Sequence, residues 1–427
     1  MFDSPIQAAK RFDSSAALGQ KSKRPRAACA LFFQMFHPRL RSVRIYGMKK
    51  SIVAVARCED YSPDRVGKSL DDMLELLGGL EKFVGRGKKV FVKPNLLLAA
   101  KPEEAVTTHP AVLIAVIRRL QDLGATVSFG DLPGGFHAGG TRKVHTATDM
   151  PRVAHETGAE LVSLEKHSFR KLEIPGAKKL THIHIPKHLD EVDIIVNVCK
   201  LKTHMQTLMT GAVKNMFGLT ATTDRVAAHR FARYRDFAEA VADIYSAMPP
   251  ALSIMDAVVG MEGTGPSQGK PIALKFIAGA ADAVALDAFA AAALGFSPGE
   301  IAVTDCAGRR GMGAYKLKDI DILGERLENL RRRVRRPSSA AFLLMPVLAS
   351  PFTELTKVRP RIEPEKCVKC RKCAEVCPAG AISFDEKTGR INDDKCILCF
   401  CCHELCIYSA VALNKPPLVK LIEMVRK

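Results

Sequence analysis

Tryptophan is absent from this chain of 427 residues, and aromatic residues make up only 6% of it. No stretch interleaves aromatic with basic side chains, so the stacking surface of proteins that bind single-stranded nucleic acid is not predicted. No apolar run approaches the ~18 residues that span a bilayer. The best candidate, residues 340–349, has ten residues and contains Pro346. The sequence therefore predicts no transmembrane segment.

Two nucleotide-binding motifs are also missing. The glycines at 263–269 have the wrong spacing for a P-loop, and Pro271 stands where that motif needs Ser or Thr. The segment GRRGMG at 308–313 does not match the dinucleotide-binding pattern G-x-G-x-x-G. Neither a P-loop nucleotide site nor a dinucleotide site is predicted.

The net charge of +19 lies mainly outside the predicted body of the fold. Residues 1–47 contribute +7 and residues 325–360 contribute +5. Residues 48–324 hold 35 basic and 31 acidic side chains, which disfavours a basic stripe on a folded face and hence a nucleic-acid partner. Because a strand pattern begins directly after Met48, residues 1–47 are predicted to be a disordered extension or a mis-assigned start.

Cysteine is concentrated in one region. Nine of the 13 cysteines lie between residues 367 and 406, and the other four are isolated from one another. This distribution disfavours a disulfide framework and predicts a reducing, cytoplasmic location. Cys199 lies in an apolar run and is predicted to belong to the core. The four isolated cysteines are Cys29, Cys58, Cys199 and Cys306.

The cysteine-rich region spells C-x2-C-x2-C-x3-C twice, as CVKCRKCAEVC and CILCFCCHELC. This is the spacing of bacterial two-cluster ferredoxins, in which the fourth cysteine of each motif binds the other cluster. The sequence therefore predicts two [4Fe-4S] clusters. The predicted ligands are Cys367, Cys370, Cys373 and Cys406 for the first cluster, and Cys396, Cys399, Cys402 and Cys377 for the second.

The two motifs align at every ligand, which predicts a pseudo-twofold ferredoxin module. Paired structural zinc sites are an alternative, but zinc does not call for a third cysteine at a fixed two-residue gap. Two positions depart from the repeat. Ile407 stands where the first motif is followed by Pro378, and Cys401 is an extra cysteine, interpreted as a small buried neighbour of Cys402. Cations surround the first motif and are expected to raise its reduction potential: Lys366, Lys369, Arg371 and Lys372.

Residues 51–323 alternate short apolar runs with amphipathic segments. Leu70, Met73, Leu74 and Leu77 have the i, i+3, i+4, i+7 spacing of a helix, whereas the segment DIIVNV at 193–198 is typical of a central parallel strand. This order predicts an α/β fold, a mainly parallel sheet with helices on both faces. Sites in such sheets form beyond the carboxyl ends of the strands.

Polar side chains follow several of these predicted strands, and their lysines, hydroxyls and amides suit a carboxylate or a phosphate. Lys200 and His204 are the catalytic candidates, with His204 as the proton donor because histidine titrates near neutral pH. Ordinary solvated side chains remain the alternative. For Asp131 and Asp256, a turn or cap role is favoured, and for Lys270 a solvated one. The predicted substrate-binding residues are Lys93, Asn95, His109, Lys202, Thr203, Lys214 and Asn215.

Three segments of the α/β region, followed by the two cysteine motifs, resemble the ferredoxin-fused branch of the domain of unknown function 362 family. They are VFVKPNLL at 90–97, NVCKLKTHMQTLMTGAVKNMFG at 197–218 and DAVVGMEGTGP at 256–266. The resemblance covers residues 50–415. It implies an iron–sulfur protein of bacteria or archaea, mostly anaerobes, and it implies no particular reaction.

The preferred functional hypothesis is a reductase, in which the ferredoxin module passes electrons to an anionic metabolite or cofactor on the α/β domain. The alternative is a non-catalytic electron carrier that docks a separate oxidoreductase. Either hypothesis needs an electron donor or acceptor protein as a partner. The predicted segments are the extension 1–47, the α/β domain 48–324, a basic linker 325–360, a small α+β ferredoxin-like domain 361–415 and a C-terminal tail helix 416–427.

Overall fold

The computed structural model of the chain describes residues 50–134, 140–231, 233–339, 357–386 and 388–425. We refer to residues 50–339 as the α/β part and to residues 357–425 as the cysteine-rich part. The strands of the α/β part are β1 (Ser51–Arg57), β2 (Lys89–Lys93), β3 (Thr126–Phe129), β4 (Glu160–Leu161), β5 (Phe169–Glu173), β6 (His182–Pro186), β7 (Ile194–His204), β8 (Leu208–Thr210), β9 (Leu252–Glu262), β10 (Lys270–Ala280) and β11 (Ile320–Gly324).

Nine of these strands form one sheet, in the order β11-β1-β10-β9-β7-β2-β3-β4, with β8 paired to β7. Neighbouring strands are parallel except at β10, which is antiparallel to β1 and to β9, and at β8. Strands β5 and β6 form a separate antiparallel pair. The predicted mainly parallel sheet is thus confirmed, and its central strands end at one common edge.

Helices connect the strands of the α/β part, and several begin with a recognisable cap. The imidazole of His109 accepts a hydrogen bond from the amide of Ala111, and Asp282 caps a later helix. The helices are α1 (Pro63–Leu76), α2 (Glu81–Val84), α3 (Pro110–Asp122), α4 (Gly140–Ala147), α5 (Met150–Thr157), α6 (Ala212–Asn215), α7 (Thr222–His229), α8 (Tyr234–Ala247), α9 (Ala283–Ala293), α10 (Ala302–Arg309) and α11 (Leu327–Leu330).

The helices cover both faces of the sheet. Alternate residues of β7 enter different apolar clusters: Val196 and Val198 pack with α1 and α3, whereas Ile195 packs with α8 and α9. This alternation follows from the two-residue period of a strand. On α1, Leu70 and Met73 are fully buried, and each such side chain contributes on the order of 1.5–3 kcal/mol to folding.

The cysteine-rich part is small and combines short strands with short helices. Strands β12 (Arg359–Ile362) and β15 (Val411–Asn414) pair antiparallel, as do β13 (Ile382–Phe384) and β14 (Gly389–Ile391). The predicted small α+β unit is therefore present. Its helices are α12 (Lys372–Glu375), α13 (Cys401–Glu404) and α14 (Pro417–Val425).

Two strands differ from the sequence-based expectation. The central strand was predicted to end at Val198, but β7 continues to His204, because β8 pairs with residues 202–204 and satisfies their backbone groups. The segment ELVSLE at 160–165 also predicts a strand, of which the structure contains the two residues of β4.

Some predictions fall outside the described residues. These are the predictions for the extension 1–47, Cys29 included, and for the apolar run 340–349. Within the described ranges, no helix is both long and apolar enough to cross a bilayer.

Candidate functional site

A cavity opens where the carboxyl ends of β2 and β7 face the cysteine-rich part. It holds about 870 Å³ of empty space, its open mouth included. Residues of the α/β part form most of its wall, and residues 376–405 of the cysteine-rich part close the opposite side. We call it the ligand cavity. Its cations and imidazoles are those of Lys93, Lys202, Lys214, Arg225, His204 and His229.

Lys93, at the end of β2, forms a buried ion pair in the wall of the ligand cavity. Its ammonium lies 2.8 Å from a carboxylate oxygen of Asp131 and donates to the carbonyl of Pro94 and the side chain of Asn215. Burial lowers the pKa of Lys93, and Asp131 opposes this shift. The charge of Lys93 is therefore largely balanced by the protein itself.

Lys202, on β7, is buried without a carboxylate partner in the described residues. It donates to the side chain of Asn95 at 2.8 Å and to the carbonyl of Val106 at 2.6 Å. Burial, and next the charges of Lys214 and Lys200, hold the pKa of Lys202 well below its usual value. An anion in the cavity would supply the missing negative charge and restore the protonated form.

Lys214, on α6, is half-buried and extends over two aromatic rings. Its nitrogen lies 5.4 Å from the ring centre of Phe217 and 5.9 Å from that of Phe237. Among the described residues, it has neither a hydrogen bond nor an ion pair. Burial lowers the pKa of Lys214, while Glu404 raises it. Lys214 is therefore the cation with the most freedom to bind a ligand.

His204, at the end of β7, is held as a neutral imidazole. Its Nδ1 accepts a hydrogen bond from the amide of Gln206 at 3.0 Å, which leaves the proton on Nε2. Burial, followed by the charge of Lys214, holds the pKa of His204 well below its usual value. This shift opposes the near-neutral pKa on which the proton-donor role was predicted, and in this tautomer the Nε2–H group can donate a hydrogen bond.

Several buried polar atoms of the ligand cavity lack a hydrogen-bond partner in the structure. Leaving such atoms unpaired costs about 1–3 kcal/mol each, so a native protein normally pairs them with water or a ligand. Their position around one cavity provides a polar lining that could bind water or a polar ligand. These atoms are His204 Nε2, Thr210 Oγ1, Arg225 Nε, His229 Nδ1 and Glu404 Oε1.

Three predicted site residues do not line the ligand cavity. Lys200 is fully buried one pleat before Lys202, and its ammonium lies 2.9 Å from Asp256 and 2.7 Å from the hydroxyl of Tyr61. His109 stacks on Tyr61 at 3.6 Å between ring centres, and its amide donates to Asp256. The hydroxyl of Thr203 is within hydrogen-bond distance of the carbonyls of Met261, near the end of β9, and of Gly263, which follows that strand.

The turn or cap role favoured for two aspartates is wrong. Asp256 lies inside β9 and is fully buried as the partner of Lys200, and Asp131 is the buried partner of Lys93. Buried carboxylates are stable only when they are paired or hydrogen-bonded, which explains why each sits beside a lysine. Lys270 is exposed at the start of β10, as expected for a solvated side chain.

The cysteine thiols fall into two groups of four, each around its own small cavity. The first group is Cys367, Cys370, Cys373 and Cys406, and the second is Cys377, Cys396, Cys399 and Cys402. In the described residues, no three Cys, His, Asp or Glu side chains converge closely enough for a single metal ion. A group of four cysteines matches the ligand set of a cubane cluster.

The backbone repeats with the two cysteine motifs. Residues with left-handed backbone conformation recur 29 positions apart within each motif and just after it. Amide donors repeat as well, because Ala381 donates to the sulfur of Cys377 and Ala410 to that of Cys406, at 3.2 and 3.3 Å. Such donors stabilise thiolate charge. The left-handed pairs are Lys369 and Leu398, Arg371 and Phe400, and Gly380 and Ser409.

The loop between β9 and β10 holds the cysteine-rich part against the α/β part. The side chain of Gln268 donates to the carbonyls of His403 and Cys406, and the hydroxyl of Ser267 donates to that of Glu404. The sequence GPSQG around Ser267 matches the G-x-S-x-G pattern of serine hydrolases. Here the serine joins two antiparallel strands and contacts a carbonyl, so it is not placed as a nucleophile.

Comparison with known proteins places the chain in a family. The family model for the domain of unknown function DUF362 matches residues 90–292, and the model for a 4Fe-4S dicluster domain matches residues 359–407. Thylakoid-associated protein sll1697 of Synechocystis sp. is 31% identical over 243 residues, which are 55% of this chain and 72% of that protein. The chain belongs to the DUF362 family. It joins a DUF362 domain to a 4Fe-4S ferredoxin domain.

The DUF362 chain was also compared with solved structures. The lactate racemase apoprotein of Thermoanaerobacterium thermosaccharolyticum matches at 18% identity with a TM-score of 0.33. The match covers 57% of this chain and 56% of the racemase, so the chain spans little more than half of that structure.

Sequence patterns did not identify all of the lining of the ligand cavity in this DUF362 chain. Arg225 and His229 are four residues apart on α7, a spacing that places them on one helix face and that was a usable signal. Cys401, Glu404 and Leu405 reach the cavity only because α13 docks on the α/β part. No local sequence pattern predicts such a contact.

Proposed function

We propose that this DUF362 protein is an iron–sulfur oxidoreductase that exchanges electrons with a small anionic molecule in the ligand cavity. The observation that carries the proposal is the position of that cavity. Its cationic wall belongs to the α/β part, and its opposite wall belongs to the chain segment that contains the cysteine motifs. A reductive reaction on an anionic metabolite or cofactor suits this arrangement best.

Two [4Fe-4S] clusters would be held by the two groups of four thiols. When bound, such clusters store and transfer single electrons. The wall between thiols and ligand is thin on the side of the first group, since Leu405 lines both the ligand cavity and the cavity of Cys367, Cys370, Cys373 and Cys406. Val376, which precedes Cys377, occupies the equivalent position in the repeat and also lines the ligand cavity.

The side chains of the ligand cavity would bind and orient the anion. Within the described part of the chain, Lys214 offers an ammonium without an ion pair, Lys202 offers one that lacks a carboxylate, and His204 offers a neutral Nε2–H group. Charge-assisted hydrogen bonds of this kind are worth about 1.5–3 kcal/mol each. Buried donors fixed by their own hydrogen bonds need little rearrangement when the ligand binds, which favours a defined orientation.

The apolar side of the ligand cavity would exclude bulk water from the bound anion. Phe217 and Leu405 lie on this side, and Leu405 packs so closely on Gly134 that a β-carbon there would come within 2.9 Å of it. A lower local dielectric strengthens every charge interaction inside the site. The buried thiols of Cys58, Cys199 and Cys306 are free, which supports a reducing compartment such as the cytoplasm.

A non-catalytic electron carrier is the competing function, and anion binding separates the two. Equilibrium dialysis of the anaerobically purified chain against phosphate, oxalate, succinate and glycerol 3-phosphate is expected to show binding of at least one probe. Lys214→Met keeps the aliphatic contact with Phe217 but removes the charge. It is expected to weaken that binding by roughly 10- to 150-fold, equivalent to the ~1.5–3 kcal/mol above.

Lys318→Met is the matched control, because Lys318 is an exposed lysine of the α/β part remote from the ligand cavity. It is expected to bind the same probe with unchanged affinity. If the wild-type chain binds none of the four anions, or if Lys214→Met binds them as well as the wild type does, the oxidoreductase proposal fails and the carrier function stands.

A further inference from the structure

The two cysteine motifs repeat in sequence but differ in exposure. Residues 368–371 of the first motif are exposed, whereas the equivalent residues 397–400 of the second are half-buried or buried. The second motif is covered because Leu398 and Phe400 pack with Met205, the residue that follows β7. Cys370 of the first group is itself exposed. One thiol group is therefore turned towards the α/β part and the other towards solvent.

Large apolar side chains surround the exposed thiol group. Val368, Ile407 and Tyr408 are 56%, 51% and 46% exposed, and all three line the cavity of Cys367, Cys370, Cys373 and Cys406. Ile407 and Tyr408 stand where the other half of the repeat has Pro378 and Ala379. Three clustered, exposed apolar side chains at a functional centre are typical of a contact surface for another molecule.

The same surface carries cations that the protein does not use internally. Arg371 and Lys372 line the cavity of the first thiol group, and neither side chain has an ion pair or hydrogen bond within the described ranges. Their equivalents in the second motif are Phe400 and Cys401, which are 3% and 5% exposed. Of these two equivalent pairs of positions in the described residues, the pair on the motif that faces solvent carries the free positive charge.

We propose that this surface docks a small acidic one-electron carrier protein. We call it the first-motif face and define it by Val368, Arg371, Lys372, Ile407 and Tyr408. The inference rests on the proposed function, since an oxidoreductase of this kind needs an outside source or acceptor of electrons. A small apolar centre with a charged rim matches the weak, transient contacts of redox proteins. The cations would speed encounter with an acidic partner.

A protein fits the first-motif face better than an anionic membrane does. Glu363 and Glu365 lie beside the cations in the chain, and a negatively charged bilayer would repel them. A protein partner can instead place a side chain of opposite charge beside each glutamate and each cation. Lys366 is already paired with Glu363 at 2.6 Å, so the attraction depends on Arg371 and Lys372.

Charge reversal at these two cations tests the docking. Full-length chain with its clusters loaded is titrated with an acidic flavodoxin by calorimetry at about 50 mM and about 300 mM salt. The double variant Arg371→Glu/Lys372→Glu is expected to lose affinity tenfold or more at low salt and to lose the salt dependence of the wild type. Lys318→Glu is the matched control and is expected to bind as the wild type does. Tyr408→Ala is expected to lose affinity at both salt concentrations.

Iron content and the electron paramagnetic resonance signal of each variant must equal those of the wild type, which separates lost docking from lost clusters. Stopped-flow mixing gives a second readout, in which reduced flavodoxin loses one electron and the oxidised chain gains one. The docking inference is overturned if the double variant matches the wild type in affinity and salt dependence. It is also overturned if phosphatidylglycerol vesicles are bound and flavodoxin is not.

The result of the docking experiment does not depend on the ligand cavity. Lys214→Met lies on the α/β side and is expected to dock flavodoxin normally. Loss of anion binding with intact docking would therefore remove the proposed function alone, and loss of docking with intact anion binding would remove this inference alone.

Discussion

Replacing Asp256 with Asn is expected to destabilise the fold strongly, because it leaves Lys200 buried without its counter-charge. Both side chains are fully buried, and their charged atoms lie 2.9 Å apart. Asn has nearly the same shape as Asp. Its amide oxygen can still accept a hydrogen bond from the backbone amide of His109, and its NH2 group can donate to Tyr61 once the Tyr61 hydroxyl has rotated. The substitution therefore changes mainly the charge.

Two routes give the size of the stability loss in Asp256→Asn. Breaking a buried ion pair by removing one partner costs about 3–5 kcal/mol. Alternatively, Lys200 can lose its proton, which at pH 7 costs about 1.4 kcal/mol for each pH unit below the ordinary pKa of 10.5, or about 5 kcal/mol. The two routes agree, so the loss is expected to be about 3–5 kcal/mol, measured by urea denaturation.

The same variant should show a characteristic pH dependence. Burial already lowers the pKa of Lys200 in the folded chain, and Asp256 opposes that shift, so its removal lowers the pKa further. Between this folded value and 10.5, unfolding takes up a proton, so the stability of the variant rises with pH. The deficit relative to the wild type is expected to shrink by up to about 1.4 kcal/mol per unit from pH 7 to pH 9.

The double variant Lys200→Met/Asp256→Asn supplies the control. With the lysine gone, it is expected to recover much of the loss, because no unpaired charge remains buried. The reasoning would be refuted by a loss below about 1 kcal/mol in Asp256→Asn with no pH dependence. If Asp256→Asn and Lys200→Met, made singly, instead keep full stability and lose anion reduction, Lys200 is catalytic, as the sequence predicted.

Two further substitutions test the cysteine-rich part and its docking. Cys401→Ala is expected to keep the full iron content, because Cys401 lines the ligand cavity and neither thiol cavity. Cys402→Ala is expected to lose about half of the iron. Equal iron contents in the two variants would contradict the assignment of the cluster ligands. Gly134→Ala places a β-carbon 2.9 Å from Leu405 and 3.1 Å from the carbonyl of Leu97, so it is expected to lower the free energy of unfolding by about 1–3 kcal/mol, measured by urea denaturation. In Gly299→Ala the nearest neighbour of the new β-carbon is 4.0 Å away, so this control is expected to have nearly the stability of the wild type.

The sheet was predictable because its signals are local. Strand segments such as residues 193–198 and helix spacings such as that of Leu70 and Met73 depend on neighbours within a few positions. The grouping of cysteines is predicted from spacing for the same reason. The extension of β7 to His204 was missed, because it depends on pairing with β8 and on buried partners for its lysines.

The candidate site was only partly predictable. Lys93, Asn95, Lys202, His204, Lys214 and Asn215 all reach the ligand cavity. Lys200 and Lys202 lie on the same face of one strand, and only the position of Asp256 on β9 makes the first a structural residue. The pKa of His204 depends on burial, which the sequence alone does not reveal. Glu404 comes from a second part of the chain, so its contribution required the docked arrangement.

The most direct test of the account is iron and sulfide quantification of anaerobically purified chain, combined with electron paramagnetic resonance of the reduced protein with and without a bound anion. The account predicts about eight irons per chain and a cluster signal that changes when the anion enters the ligand cavity. In Lys214→Met the signal is expected to remain and its response to the anion to weaken. A preparation that contains zinc and gives no signal on reduction would contradict the account.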